Sequence, residues 1–414
     1  MSTTAGVGAD ARRRPKDRKQ QIARASAEAF SELGYHAVSM EDIASRVGVT
    51  AASLYRHYAG KYELFRAAVL GLGEQLVSCT DFVDDVAGSP AGELWDAIVD
   101  ALIETTLRNR SSGGLYRWEG RYLRPEDQSL LNEQIKLVNR RLQRPLRELR
   151  PGLQSRKRWI LSSAVLSVIG SITDHRAKLP TDDLRMSLAR MARDIRNAEL
   201  PDETADTTPL RALPISAAGD YEQILHTAMV LFNERGYRET GMDDIAAATG
   251  LPLSSIYRFF TGKGAILASV YRRAADRVSG DLALILSTTA DPREVVARLI
   301  DAYIWRSFVD PELAYVYYAE RVNVPAEDRL ALHNIQRATV EAWVQQVVGA
   351  RPGMPAAEAR FAVHAAFALV VDLGRLARYE NTESSRLIVG RLLRVILLGE
   401  DSANNPRRRR APRR

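Results

Sequence analysis

Apolar residues recur at helical spacing along most of the chain, and the runs are closed by glycine or proline. Between positions 16 and 33, Ile22, Ala29, Phe30 and Leu33 share one face, small residues fill 26 and 27, and Gly34 ends the pattern. Ser39, with Asp42 three residues on, opens a short second helix whose apolar face is Ile43, Ala44 and Val47. Gly48 stands where a helix-ending residue of positive φ is wanted. Thr50 then caps a third helix, predicted over 51–58. Within it Leu54 and Tyr58 face inward, leaving Ala51, Ser53, Tyr55, Arg56 and His57 on the outside. Gly60 breaks this helix, and Lys61 opens a long fourth one carried by Leu64, Phe65, Ala68 and Val69.

The same pattern returns 202 positions later, through Ile224, Ala228, Leu231, Phe232, Gly236, Ile245, Gly250, Tyr257 and Lys263. Sixteen of the 41 positions from Gln21 to Lys61 are identical to their shifted counterparts; average composition would give about two or three. The chain is an internal duplication. After the first copy, helices are predicted over 93–106, 116–123, 127–149, 158–172 and 182–196; after the second, over 292–308, 313–323, 327–348, 356–378 and 385–398. A weaker echo, Trp118-Glu119-x-Arg121-Tyr122 against Tyr318-x-Glu320-Arg321, followed in each half by Pro125 or Pro325, extends the duplication to whole halves.

An all-α fold of two tandem units follows, which suits a chain of 414 residues, too long for one core. The expected divisions are a basic arm at 1–15, a first helix-turn-helix domain at 16–76 and a first helical regulatory domain at 77–198. A Pro-rich linker at 199–218 follows, then a second helix-turn-helix domain at 219–278, a second regulatory domain at 279–400 and a basic tail at 401–414. Net charge is +7, yet the basicity sits in Arg12-Arg13-Arg14-Pro15-Lys16-Asp17-Arg18-Lys19 and in the Arg-rich run 407–414, leaving a mildly acidic body. Arms of this kind suit a polyanion, because arginine and lysine displace counterions from phosphates; the run 407–414 is equally compatible with a merely solvated tail. The lone Cys79 excludes an intrachain disulfide and any multi-cysteine metal site. No run of about 18 apolar residues and no secretory leader is visible, so a cytoplasmic location is expected.

Two helices crossing through a glycine turn, the second presenting short polar groups, an arginine and an aromatic ring, form the helix-turn-helix pattern. Such a helix can enter a major groove about 12 Å wide. Thr50 and Lys61, each at a helix N-terminus, are placed to hold phosphate. One such unit alone could be an ordinary αα-hairpin. Two units, the first preceded by a basic arm, point to double-stranded DNA.

The string Ile43-Ala44-x-x-x-Gly48-Val49-Thr50-x-x-Ser53-Leu54-Tyr55-Arg56-His57-Tyr58-x-x-Lys61-x-x-Leu64 resembles the DNA-binding domain of the TetR/AcrR family, and Ile245-Ala246 through Lys263 resembles it again. The resemblance implies base or backbone contacts for Ala51, Ser53, Tyr55 and Arg56, phosphate contacts for Thr50, His57 and Lys61, and contacts in the second copy for Leu253, Ser254, Ser255, Tyr257, Arg258 and Lys263. It also implies a helical domain that binds a small-molecule inducer and pairs the DNA-binding domains. Ala52 and Ser254 depart from a frequent glycine. Phe259 replaces the histidine and Pro252 the capping hydroxyl, so the second unit should fold but bind DNA more weakly or with another preference. The overall layout is similar to tandem regulators of mycobacteria and relatives that control lipid or sterol uptake operons.

No Walker loop, no G-x-G-x-x-G after a strand and no H-E-x-x-H is present, and the six histidines lack ligand spacing, so no catalytic residue, metal or cofactor is expected. Large aromatic residues are the candidates for the walls of an inducer pocket: Trp118, Tyr122 and Trp159 in the first half, Trp305, Tyr318, Trp343 and Phe367 in the second, with His364 as a polar member. At helical spacing such residues also serve as ordinary core. The expected inducer is apolar or lipid-like. The late helices of the two halves are expected to pack together in one chain through small residues such as Ser162, Ser163, Ala164, Ala365 and Ala366, giving a monomeric pseudo-dimer on an asymmetric operator, with a homodimer as the alternative. The competing function is a ligand-sensing protein in which only the first helix-turn-helix touches DNA.

Overall fold

The computed structural model describes residues 15–85, 88–202, 218–377 and 380–399, and among these there are helices, turns and no strands. In the first half the helices are α1 (Pro15–Leu33), α2 (Met40–Val47), α3 (Ala51–Tyr55), α4 (Lys61–Ser78), α5 (Phe82–Asp85), α6 (Ala91–Arg108), α7 (Leu115–Trp118), α8 (Pro125–Leu149), α9 (Ser155–Gly170) and α10 (Thr181–Asn197). In the second they are α11 (Asp220–Arg235), α12 (Met242–Thr249), α13 (Leu253–Tyr257), α14 (Lys263–Leu286), α15 (Pro292–Val309), α16 (Pro311–Ala319), α17 (Ala326–Ala350), α18 (Ala356–Leu376) and α19 (Glu383–Leu398). Short 3-10 turns at Gly120–Tyr122, Ser171–Thr173 and Arg321–Asn323 extend α7, α9 and α16. The helix predicted over 116–123 is thus a four-residue helix and a 3-10 turn. The third helix ends at Tyr55 rather than 58, because the N–H groups of His57 and Tyr58 both turn back onto the Leu54 carbonyl.

The chain forms two compact units, Met1–Gln75 with Ser111–Asn132, and Leu76–Arg110 with Glu133–Arg414. In the first, Ile22, Phe30, Ile43, Leu54, Leu64 and Phe65 are at most 1% exposed and make the core of α1–α4. Each such side chain stabilises the unit by roughly 1.5–3 kcal/mol relative to exposure. The second unit holds an equivalent core around Ile224, Phe232, Ile245, Ile256, Ile266 and Leu267.

The larger core of the second unit joins the late helices of both halves. Helix α9 packs on α18, and α10 on α19. Ser162, Ala164, Ala365 and Ala366 are fully buried, and their small side chains suit close helix approach. An ion pair between Arg190 and Glu358 and a hydrogen bond from Arg321 to the Asp174 carbonyl (3.0 Å) also link the halves. No described helix is long and apolar enough to cross a membrane.

Candidate nucleic-acid interface and inducer cavity

Local sequence builds the first reading head directly. The Asp42 N–H donates to the Ser39 hydroxyl at 3.1 Å and the Ser39 N–H donates to the Asp42 carboxylate at 2.8 Å, closing a capping box at α2. The hydrogen bonds from Ser39 hold the Asp42 carboxyl below its usual pKa. Gly48 takes φ 68°, which only glycine adopts cheaply, and the Val49 N–H returns to the Ala44 carbonyl at 2.9 Å. The Thr50 hydroxyl accepts the Ser53 N–H at 3.3 Å and so fixes the start of α3. This leaves Tyr55, 54% exposed, and Arg56 outside, with Ala51, Ser53 and His57 half-buried beside them.

The second head keeps the frame and changes the surface. Gly250 takes φ 71°, and the Gly241 N–H donates to Asp244 at 2.7 Å, but glycine has no hydroxyl to complete the box. At α13 the Ser255 N–H has the Pro252 carbonyl (2.8 Å) and no capping side chain. Ser254, Tyr257 and Arg258 are exposed and Leu253 is half-buried, whereas Ser255, expected outside, is only 8% exposed. Phe259 is 47% exposed and meets Tyr221 edge-on at 5.8 Å, giving this head an aromatic patch where the first has His57.

The two lysines expected on phosphate are engaged inward. Lys61 Nζ donates to the His36 carbonyl at 3.1 Å and lies 4.7 Å from the centre of the Tyr35 ring. Lys263 Nζ donates to the carbonyls of Tyr237, Arg238 and Thr240 at 2.9, 3.2 and 3.0 Å, over the Tyr237 ring at 4.7 Å. Burial pulls the Lys263 ammonium below its usual pKa. An ammonium has three donors, so these bonds use all of those at Lys263 and make it a clamp on the turn after α11. The opposite side of that turn is held by a buried glutamate in each half: Glu119 accepts the Tyr35 N–H at 2.8 Å and Glu320 the Tyr237 N–H at 3.0 Å. Sequence reasoning saw the Glu119/Glu320 echo but not its purpose. Arg12, Arg13 and Arg14 and the basic tail lie outside the described residues.

The aromatic candidates disperse. Trp118 is buried in the first unit, where Tyr122 meets His36 edge-on at 4.7 Å. Trp159 is half-buried, and Trp305 is 47% exposed beneath the Arg386 guanidinium. Tyr318, His364 and Phe367 come together in the wall of a cavity of about 110 Å³, and buried Trp343 meets Phe367 edge-on at 5.1 Å. Helices α14 to α18 supply most of the wall, and Ser171 and Asp174 bring in the first half. Beside it the rings of His175 and His364 stack at 3.9 Å and 9°. Burial, the neighbouring imidazole and Arg110 and Arg176 hold His175 well below its usual pKa; burial and Arg360 hold His364 down to about 4. Among the described residues no cluster of three or more histidine, cysteine or acidic side chains could hold a metal ion.

Two helix pairs, each with an outward second helix and a left-handed glycine turn, make this a tandem helix-turn-helix protein. Residues 22–68 and 224–270 both match the profile of bacterial regulatory proteins of the tetR family. Among curated relatives, it is 40% identical over 75 residues to the HTH-type transcriptional activator FasR of Mycolicibacterium smegmatis, covering 18% of this chain and 34% of that protein. It is 26% identical over 128 residues to the HTH-type transcriptional repressor KstR2 of Rhodococcus jostii, covering 31% of this chain and 63% of that protein. The chain therefore spans about a third of the length of the first of these relatives and under two thirds of the second. Among solved structures, the ketosteroid transcriptional regulator KstR2 of Mycobacterium tuberculosis aligns over 43% of this chain and 93% of its own at 20% identity, with a TM-score of 0.39.

Proposed function

We propose that the chain is a ligand-responsive regulator of transcription, a repressor that binds an asymmetric DNA operator through two unlike heads and is released by an apolar inducer. The observation that carries this reading is the pair of outward helices α3 and α13, alike in backbone and in an exposed Tyr-Arg pair and unlike at Ala51/Leu253, Ala52/Ser254 and His57/Phe259. Members of the helix-turn-helix class pair two heads over half-sites about 34–36 Å apart or a multiple of that. The packing of α9 and α10 on α18 and α19 supplies within one chain the pairing that two subunits otherwise provide.

The cavity wall includes α14, which begins at Lys263 and carries the second head, and α16, which leads to Glu320. A ligand that favours one arrangement of these helices acts on the Tyr237 turn through Glu320 and Lys263. It shifts DNA binding only by as much as its affinities for the two arrangements differ. Footprinting on the DNA upstream of the protein's own gene tests the reading. One footprint with two unlike half-sites, and one chain per operator in sedimentation, are expected; an obligatory two-chain complex on every operator overturns the single-chain pairing.

A second reading, in which only α3 touches DNA, draws support from Pro252, the buried Ser255 and the exposed Phe259. Replacing Arg258 separates the two, because operator affinity falls only if the second head contacts DNA.

A further inference from the structure

The cavity has a wall chemistry that narrows its occupant. Tyr303, Tyr317 and His364 are half-buried and line the cavity, and neither phenol oxygen nor either imidazole nitrogen has a hydrogen-bond partner among the described residues. A polar group that loses water without gaining a partner costs on the order of 1–3 kcal/mol, so an occupant that displaces water from beside these three must bring polar atoms of its own. Burial pushes both phenols up from their usual pKa and the imidazole down, so all three face the cavity uncharged at neutral pH. The two arginines in the wall are already paired. Arg277 pairs with Asp310 at 2.5 Å, and Arg306 pairs with Asp281 through both of its fork nitrogens. Asp174 adds a further carboxylate. An anionic head would have to break an ion pair to find a cation, and would meet carboxylates on the way. The remaining wall, Phe367, Val278 and Val340, is apolar. At about 110 Å³ the space is close to an engineered cavity of ~150 Å³ that holds one benzene ring.

We infer that the cavity is a site for an uncharged, ring-sized apolar group bearing a carbonyl or hydroxyl oxygen, held between Tyr303, Tyr317 and His364 at a joint to which the first half contributes Ser171 and Asp174. The inference rests on the regulator reading for its role as the inducer site. Because the wall takes residues from both halves, occupancy is sensed at their junction.

The test is binding of three compounds of one skeleton to the full chain: cyclohexanone, cyclohexanol and cyclohexanecarboxylate, with octanoyl-coenzyme A as a fourth. Thermal shift and tryptophan fluorescence report binding, since Trp343 lies against Tyr303 and Phe367. The ketone and alcohol are expected to bind at least tenfold tighter than the carboxylate and the thioester. Tyr303→Phe and Tyr317→Phe, which keep the rings, are each expected to weaken the ketone about fivefold while leaving the footprint of the ligand-free protein unchanged. Tighter binding of the carboxylate or thioester, no binding by any of the four, or a ketone affinity indifferent to both substitutions overturns the site. A missing footprint with ligand binding intact overturns the regulator reading and leaves the site standing.

Discussion

The Glu320 carboxylate accepts the backbone N–H of Tyr237 at 3.0 Å, and its counterpart Glu119 accepts that of Tyr35 at 2.8 Å. Each bond joins the turn that follows the first helix of a helix-turn-helix head to the segment after α7 or α16. Glu320 is fully buried and its second oxygen accepts from the Asn323 amide at 2.6 Å. Replacing Glu320 by Ala leaves the Tyr237 N–H without its acceptor, at a cost of roughly 1–3 kcal/mol. Glu320→Gln keeps an amide oxygen in reach and is expected to lose less. Thermal unfolding of the two variants checks the order; equal losses would mean that the carboxylate only fills space.

Lys263 offers a sharper separation of structure from DNA contact. With its three donors on carbonyls of the Tyr237–Thr240 turn, Lys263→Met is expected to lower stability by at least about 2 kcal/mol, since a single hydrogen bond from a charged group contributes ~1.5–3 kcal/mol. The slope of log K against log salt should stay within a few tenths of that of the unsubstituted protein. A drop of about one unit would instead place this ammonium on a phosphate.

Much of this was legible beforehand because it depends on local spacing. Gly48 and Gly250 mark left-handed helix ends, Ser39 and Thr50 mark caps, and a fixed offset marks the duplication. The packing of late helices through Ser162, Ala164, Ala365 and Ala366 followed from small residues in apolar runs. What stayed hidden was which way long side chains turn. Lys61 and Lys263 open helices, a position that suits phosphate, yet tertiary contacts draw them to carbonyls 23 to 26 residues back in sequence. The aromatic candidates had the right composition for a pocket, but Trp118 and Trp343 are core and Trp305 faces outward, because periodicity does not distinguish a wall from a filling. Tyr303 and Tyr317 are absent from the aromatic candidates; only the void beside them gives them a part.

The His175–His364 stack predicts acid sensitivity with a definite sign. Both imidazoles are held below their usual pKa, His364 at about 4, so the folded protein stays unprotonated there while the unfolded chain takes up protons from about pH 6.5 downward. Their contribution is complete above pH 6.5 and is lost as pH falls towards 4, at up to ~1.4 kcal/mol per pH unit for each histidine. Arg110, Arg176 and Arg360 reinforce the neutral state and Glu341 opposes it. Urea unfolding at pH 7.5 and at pH 5 is therefore expected to show a marked loss, and His364→Phe, which keeps a stacking ring without a titrating proton, should reduce it. An identical loss in that variant would place the acid sensitivity elsewhere.

The two heads share an exposed arginine, Arg56 in one and Arg258 in the other, on surfaces that differ around it at Thr50/Pro252 and His57/Phe259. Arg56→Ala is expected to weaken operator binding by about 1–3 kcal/mol, with the loss confined to one half of the footprint. If α13 reads DNA, Arg258→Ala weakens the other half, by a smaller amount because Pro252 and Phe259 have replaced a capping hydroxyl and an imidazole on that surface. If the arm contributes as well, removing residues 1–15 should lower affinity for every duplex alike and flatten the salt dependence. Gel-shift titrations over a range of salt concentrations separate the three. An operator affinity indifferent to Arg258→Ala and sensitive to Arg56→Ala assigns DNA reading to the first head alone, and an unchanged salt slope after removal of the arm excludes it from the phosphate contacts.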